Sequence, residues 1–178
     1  MILTPQGLLA FGRRLPCSIG RGGISTDKCE GDGATPAGRL RIIGTLYRPD
    51  RLAQPAPWAR PIGPSDLWCD ESGHPAYNSP VRVPFDASHE KLRRADPLYD
   101  IILLTDWNIP AQPGKGSAIF LHQWRRPGWP TAGCIAFARA DLIWLAARAA
   151  PGTGLFVPAS SSPKYPNQRR QQDDRFQV

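Results

Sequence analysis

The chain has no apolar run near the roughly 20 residues that a bilayer-crossing helix needs, so no transmembrane segment is expected. It has no run of five like charges and no basic helix. It shows no helix-turn-helix pattern and no interleaving of aromatic and basic residues, which makes nucleic acid the least favoured partner. None of its four cysteines, Cys17, Cys29, Cys69 and Cys134, forms a C-x-x-C pair. That argues against a zinc site or a thioredoxin-like motif, and no metal or cofactor is expected. The glycine-rich stretches 18–24, 30–38 and 113–117 lack the spacing of a phosphate-binding loop and are expected to be turns. No internal repeat is visible. Residues 1–10 are too short an apolar start, broken by Pro5 and Gly7, for a secretory signal. A cytoplasmic location, a leader outside this sequence and another export route all stay open.

What is present suits one globular domain. The 178 residues, 41% of them hydrophobic, are enough to bury a core without staples. The net charge of +7 includes the arginine pairs 13–14, 93–94, 125–126 and 169–170. A basic surface favours an anionic partner, or is simply solvated. Twenty prolines and 17 glycines imply many turns and short strands. Strands are expected at 40–47, 101–105, 117–121 and 154–157, which are rich in apolar and β-favouring residues between Gly, Pro or Asp. Residues 49–64, with five prolines, read as irregular chain. Leu142, Ile143, Leu145, Ala146 and Ala149 recur at helical spacing, so the main helix is expected at 141–150, with Asp141 at its start and Pro151-Gly152 as its stop. A short helix is expected at 88–94. The composition turns polar after residue 159, giving a domain over 1–159 and a flexible tail over 160–178. The fold class is mainly β, with one substantial helix packed on the sheet.

The chemistry concentrates in residues 116–137. His122 is expected at the end of a strand, and Cys134 follows 12 positions later, directly after Gly133. Pro127, Gly128 and Pro130 bend the chain between them. A thiol becomes a nucleophile when a base lies beside it, and this segment supplies both. Cys134 would attack a carbonyl carbon to form a thioester. His122 would take the thiol proton and return one to a leaving amine. Gly133 leaves room for a substrate carbonyl, and the N–H groups of Gly133 and Cys134 are the expected oxyanion hole. Arg125 and Arg126 would favour thiolate over thiol. Trp124 and Trp129, beside those arginines, either line a groove or pack back on the domain. Tyr77 and Asn78 either supply polar contacts to the site or form a turn. If Cys134 stays a free thiol, the other three cysteines allow one disulfide or none.

The segment Thr131-Ala132-Gly133-Cys134, preceded by His122, resembles the catalytic stretch of the L,D-transpeptidase (YkuD-type) family. The likeness extends to a short single-domain bacterial branch through 30–38, Trp68-Cys69-Asp70, Tyr77-Asn78, Leu98-Tyr99-Asp100 and 116–122. Two positions depart from the commonest family pattern. Ala132 stands where that pattern has His, and Ala136 where it has Arg. An acidic group of the substrate would then meet Arg125, Arg126 or Arg139 instead. The resemblance implies a β-sandwich or barrel with one main helix after the catalytic cysteine. It implies a cysteine acyltransferase that cross-links peptidoglycan stem peptides, taking a tetrapeptide donor and an amine acceptor. The links would be 3→3, or 1→3 in this compact branch. Hydrolysis at the same site, as an L,D-carboxypeptidase or endopeptidase, and a non-catalytic peptidoglycan-binding module are the alternatives. Cys134 and His122 are the implied catalytic pair, with Arg125, Arg126, Thr131, Trp124, Tyr77 and Asn78 as substrate contacts. A carbapenem-sensitive monomer in the periplasm or cell envelope is implied as well.

Overall fold

A computed structural model describes residues 1–159. The tail expected at 160–178 lies outside them. The strands are β1 (Ile2–Thr4), β2 (Gly7–Ala10), β3 (Arg13–Leu15), β4 (Cys17–Ser18), β5 (Ile24–Ser25), β6 (Thr35–Pro36), β7 (Gly38–Tyr47) and β8 (Ala59–Pro61). They continue with β9 (Asp66–Cys69), β10 (Pro80–Arg82), β11 (His89–Lys91), β12 (Ile101–Thr105), β13 (Phe120–Gln123), β14 (Ile135–Phe137) and β15 (Gly154–Val157). The one α-helix among the described residues, α1, is Arg139–Ala146. A 3-10 turn covers Pro97–Tyr99. The chain is mainly β, as its turn-rich composition implies.

The main sheet runs β3-β2-β1-β15-β7-β12-β13-β14-β4, with β8 on β7, and is nearly closed like a barrel. Its central strands are apolar on both faces, so both faces must be covered. Ile101, Leu103 and Leu121 point into the larger core, with α1 contributing Leu142, Leu145 and Ala146. Ile102 and Phe120 point the other way, into a second cluster with Ile62, Trp68, Leu92 and Tyr99. Trp68 comes from a separate sheet, β10-β9-β11, and meets Phe120 edge-on at 5.1 Å between ring centres. This small sheet therefore lies against the face of the main sheet that carries Phe120 and His122.

The strands expected at 101–105 and 154–157 form as β12 and β15, and the one at 40–47 forms inside β7. Three expectations shift. The strand expected at 117–121 begins only at Phe120, because Ala118 holds the left-handed conformation (φ 50°), which cannot continue a strand. The helix expected at 141–150 starts two residues earlier and ends four earlier. Its N-cap is Ala138, without a side-chain bond, and Asp141 instead pairs with Arg13 at 2.7 Å. The helix expected at 88–94 is not formed. Its centre is β11, paired with β9, because His89-Glu90-Lys91 completes an open sheet edge there. The irregular stretch 49–64 also holds the short strand β8.

Candidate active site

Parallel pairing of β13 with β14 sets Leu121 beside Ile135 and His122 beside Ala136. Side chains alternate along a strand, so Phe120, His122, Ala136 and, one step before β14, Cys134 share a face. That face opens into a cleft of about 400 Å³, lined by His122 and Cys134 together. His122 is not at a strand end, as expected from sequence, but inside β13 and 5% exposed.

The imidazole is held on two sides. Its Nδ1 lies 2.7 Å from the carbonyl of Gln123. A carbonyl only accepts, so in the neutral ring the proton is on Nδ1 and Nε2 carries the lone pair. Tyr99 meets the ring edge-on at 5.3 Å between ring centres. Burial pulls the His122 pKa down to about 4, so the ring is an unprotonated base at neutral pH.

The thiol is neutral too. Burial pushes Cys134 up to about 12, Glu90 adds to the rise, and the Phe120 N–H and Lys28 oppose it. Cys134 Sγ donates to the carbonyl of Ala118 at 3.1 Å and accepts from the Phe120 N–H at 3.4 Å. No hydrogen bond joins it to His122 among the described residues. This corrects the expectation that Arg125 and Arg126 hold a thiolate: the cation acting on the sulfur is Lys28, and burial outweighs it.

The loop around Cys134 is locked by two threonines. Thr131 Oγ1 donates to the carbonyl of Cys134 at 2.6 Å and accepts from the Gly133 N–H at 3.1 Å. Thr35 Oγ1 donates to the carbonyl of Gly133 at 2.8 Å and accepts from the Gly20 N–H at 2.9 Å. Thr131 lines the cleft, yet its hydroxyl is spent inside its own loop. The Gly133 N–H is spent with it, which leaves the Cys134 N–H as the remaining donor of the expected oxyanion pair. Gly133 is needed for two reasons. Its φ of 144° disfavours a side chain, and a Cβ there would lie 3.0 Å from the Ala34 carbonyl oxygen. The close approach is thus by the chain's own backbone.

Tyr77 and Asn78 are not among the cleft-lining residues; they stand behind its wall. Tyr77 donates its hydroxyl to Glu30, which also accepts from Ser117 at 2.9 Å. Asn78 uses its whole amide. Oδ1 accepts from Trp68 Nε1 at 3.1 Å and from the Ala118 N–H at 3.0 Å, and Nδ2 donates to the carbonyls of Trp107 and Asn108, both at 2.9 Å. Ala118, whose carbonyl accepts the hydrogen bond of the Cys134 thiol, is therefore pinned in its left-handed conformation by Asn78. Trp124, Arg125 and Trp129 line the cleft. Arg126 does not; its guanidinium stacks on Trp129 at 3.8 Å. Arg139 is bound to Asp100 at 2.7 Å, and Asp100 also takes Arg51 at 2.7 Å, so Arg139 is held away from substrate duty. Among the described residues Cys29, Cys69 and Cys134 form no disulfide; Cys17 and Cys69 are buried and Cys29 is exposed.

Sequence reasoning did not single out Lys28, Glu30, Asp70, Glu90, Arg94, Tyr99 and Ala118 as parts of the site, yet all seven line the cleft. The stretches containing Glu30, Asp70, Tyr99 and Ala118 carried the family likeness, which was the one signal for these four. No group of three or more His, Cys, Asp or Glu side chains is arranged to hold a metal among the described residues.

A family model for the L,D-transpeptidase catalytic domain, YkuD, matches residues 6–159. No curated protein and no solved structure matches the chain.

Proposed function

Because the chain belongs to the L,D-transpeptidase catalytic domain (YkuD) family, we propose that it is a cysteine acyltransferase of peptidoglycan stem peptides. The observation that carries this reading is the shared face of β13 and β14, which aims the neutral His122 base and the Cys134 thiol into one cleft. Cys134 Sγ attacks the carbonyl of the third residue of a tetrapeptide stem. The thiol proton passes from Cys134 Sγ, where it was donated to the Ala118 carbonyl, to His122 Nε2 as the C–S bond forms. The bond to the terminal D-Ala then breaks, and its amine departs with the proton from His122. The oxyanion meets the Cys134 N–H. An amine of a second stem resolves the thioester, giving a 3→3 or 1→3 link. Arg125 and the indoles of Trp124 and Trp129 form the wall that meets the stem, whose free carboxylates a cation attracts.

The resting pair is two neutral groups, so the nucleophile is generated only as the substrate is attacked. A tetrapeptide donor should release D-Ala and leave an acyl adduct on Cys134, read by intact mass. A carbapenem should add covalently at the same residue. Cys134→Ala should do neither, and a fully active Cys134→Ala protein would end the proposal. Products formed with and without an acceptor stem separate transpeptidation from hydrolysis. The cell envelope is the proposed location, since that is where the substrate lies. No described helix is long and apolar enough to cross a membrane.

A further inference from the structure

Asp70 and Glu90 have no part in the acylation steps above, yet both face the thiol's cleft. Glu90 on β11 pairs with Trp68 on β9. Asp70 lies two residues beyond Trp68, and its N–H donates to the Ser88 carbonyl at 3.2 Å. The three side chains therefore share one face of the small sheet, and Trp68 on Phe120 turns that face to the cleft.

These carboxylates are short of partners. Asp70 Oδ1 is shut off from solvent and has no hydrogen bond among the described residues. Among the described residues Glu90 has one side-chain hydrogen bond, a long 3.5 Å bond from the Tyr99 hydroxyl. Two of the three cations lining the cleft hold other acceptors. Arg94 holds both carboxylate oxygens of Asp96, at 2.9 and 2.7 Å, and Lys28 holds Asp32 and the Cys29 carbonyl, both at 2.6 Å. Glu30, also in the cleft, is by contrast satisfied by Tyr77 and Ser117. Burial and the charge of Asp70 hold the Glu90 pKa above its usual range against the opposing charge of Arg94 and the Tyr99 hydroxyl, which makes it a better base. An acceptor left unmet in a buried site is destabilising, more so when charged, unless a ligand meets it. A cationic donor with several N–H groups fits.

Building on the acyltransferase reading, we propose that Asp70 and Glu90 form the acceptor subsite: they bind the ammonium group of the second stem, and Glu90 takes a proton from it as its nitrogen attacks the thioester on Cys134. The balance is simple. The ammonium gives one proton to the Glu90 carboxylate, which later returns it to water. The freed amine forms the C–N bond and the C–S bond breaks. A second proton passes from nitrogen through His122 to Sγ, restoring the thiol, and one N–H stays in the new amide. A diaminopimelate donor also carries an ammonium, so the test must separate the two steps.

Glu90→Gln and Asp70→Asn keep the side-chain shapes. Acyl-enzyme formation from a tetrapeptide donor is followed by intact mass. Its discharge is followed with a tripeptide stem bearing a free amine and, separately, with hydroxylamine, which is uncharged at neutral pH. Discharge by the stem amine should fall at least tenfold in Glu90→Gln, with products shifting from cross-linked to hydrolysed. In Asp70→Asn the acceptor KM should rise. Discharge by hydroxylamine should stay within threefold of the parent, and Glu90→Asp should recover part of the loss. The proposal is overturned by unchanged stem-amine discharge, by an equal loss with hydroxylamine (a structural role through Tyr99 and His122), or by a loss confined to acylation (the donor's ammonium). If the parent protein forms no acyl-enzyme, the failure lies in the reading of Cys134 and not in this subsite.

Discussion

Alkylation of Cys134 by iodoacetamide across pH reads the resting state of its thiol directly. Burial raises its pKa from 9.0 to about 12. Each unit is a factor of ten in thiolate, so below pH 9 the site holds on the order of 10³ less thiolate than an ordinary cysteine. Exposed Cys29 serves as a reference in the same sample, and site-resolved mass spectrometry follows both. Cys134 should react far more slowly than Cys29 at pH 7. Its rate should climb about tenfold per pH unit from 7 to 10 without a plateau. His122→Ala should change this rate less than about threefold, because the neutral imidazole does not hold a thiolate. The same variant should slow acylation by a donor stem on the order of 10²–10⁴-fold, the usual worth of a general base. A plateau between pH 5 and 8 that disappears in His122→Ala would refute the reasoning, since it would reveal a thiolate–imidazolium pair at rest.

Asn78→Ala should cost about 2–4 kcal/mol by urea unfolding, because Trp68 Nε1 and the Ala118 N–H lose their acceptor, and acylation should slow as Ala118 loosens. Gly133→Ala should lower stability by about 2–4 kcal/mol and cut acylation more than tenfold, since its φ of 144° and the Ala34 carbonyl at 3.0 Å both resist a Cβ. Stability should fall at both ends of the pH scale. Between pH 6.5 and 4 the unfolded chain protonates His122 while the native chain does not, so up to about 3 kcal/mol is lost as pH falls, and His122→Gln should flatten that limb in urea titrations. Above pH 9 the unfolded Cys134 ionises while the native thiol does not, so stability falls as pH rises, and Cys134→Ala should remove that share.

The proposed catalytic pair, His122 and Cys134, was legible because its parts are close in sequence and the bend between them is written in Pro127, Gly128 and Pro130. Strands β12 and β15 were legible from dense apolar runs with clear stops. The end of α1 was not, because Ala149 keeps the helical period and stays buried after the helix has closed at Ala146. β11 was not either: His89-Glu90-Lys91 has weak strand preference, and the open edge of β9 decides its conformation. The same long-range pairing hid Asp70 and Glu90, which reach Cys134 only through the docking of Trp68 on Phe120. Asn78 was read as a turn residue or a substrate contact, and its left-handed φ of 54° agrees with a turn. Its amide, however, ties four separate segments together, which no local pattern records. The sign of the electrostatics at Cys134 was also out of reach, since it depends on how deeply the sulfur is buried.

The most direct test of the acyltransferase mechanism is incubation of the protein with purified muropeptides containing tetrapeptide stems, followed by mass analysis of protein and products. The expected result is an acyl adduct on Cys134 short of one D-Ala, followed by a cross-linked product joined at the third residue of the donor. No adduct on Cys134, or undiminished turnover by Cys134→Ala, would contradict it.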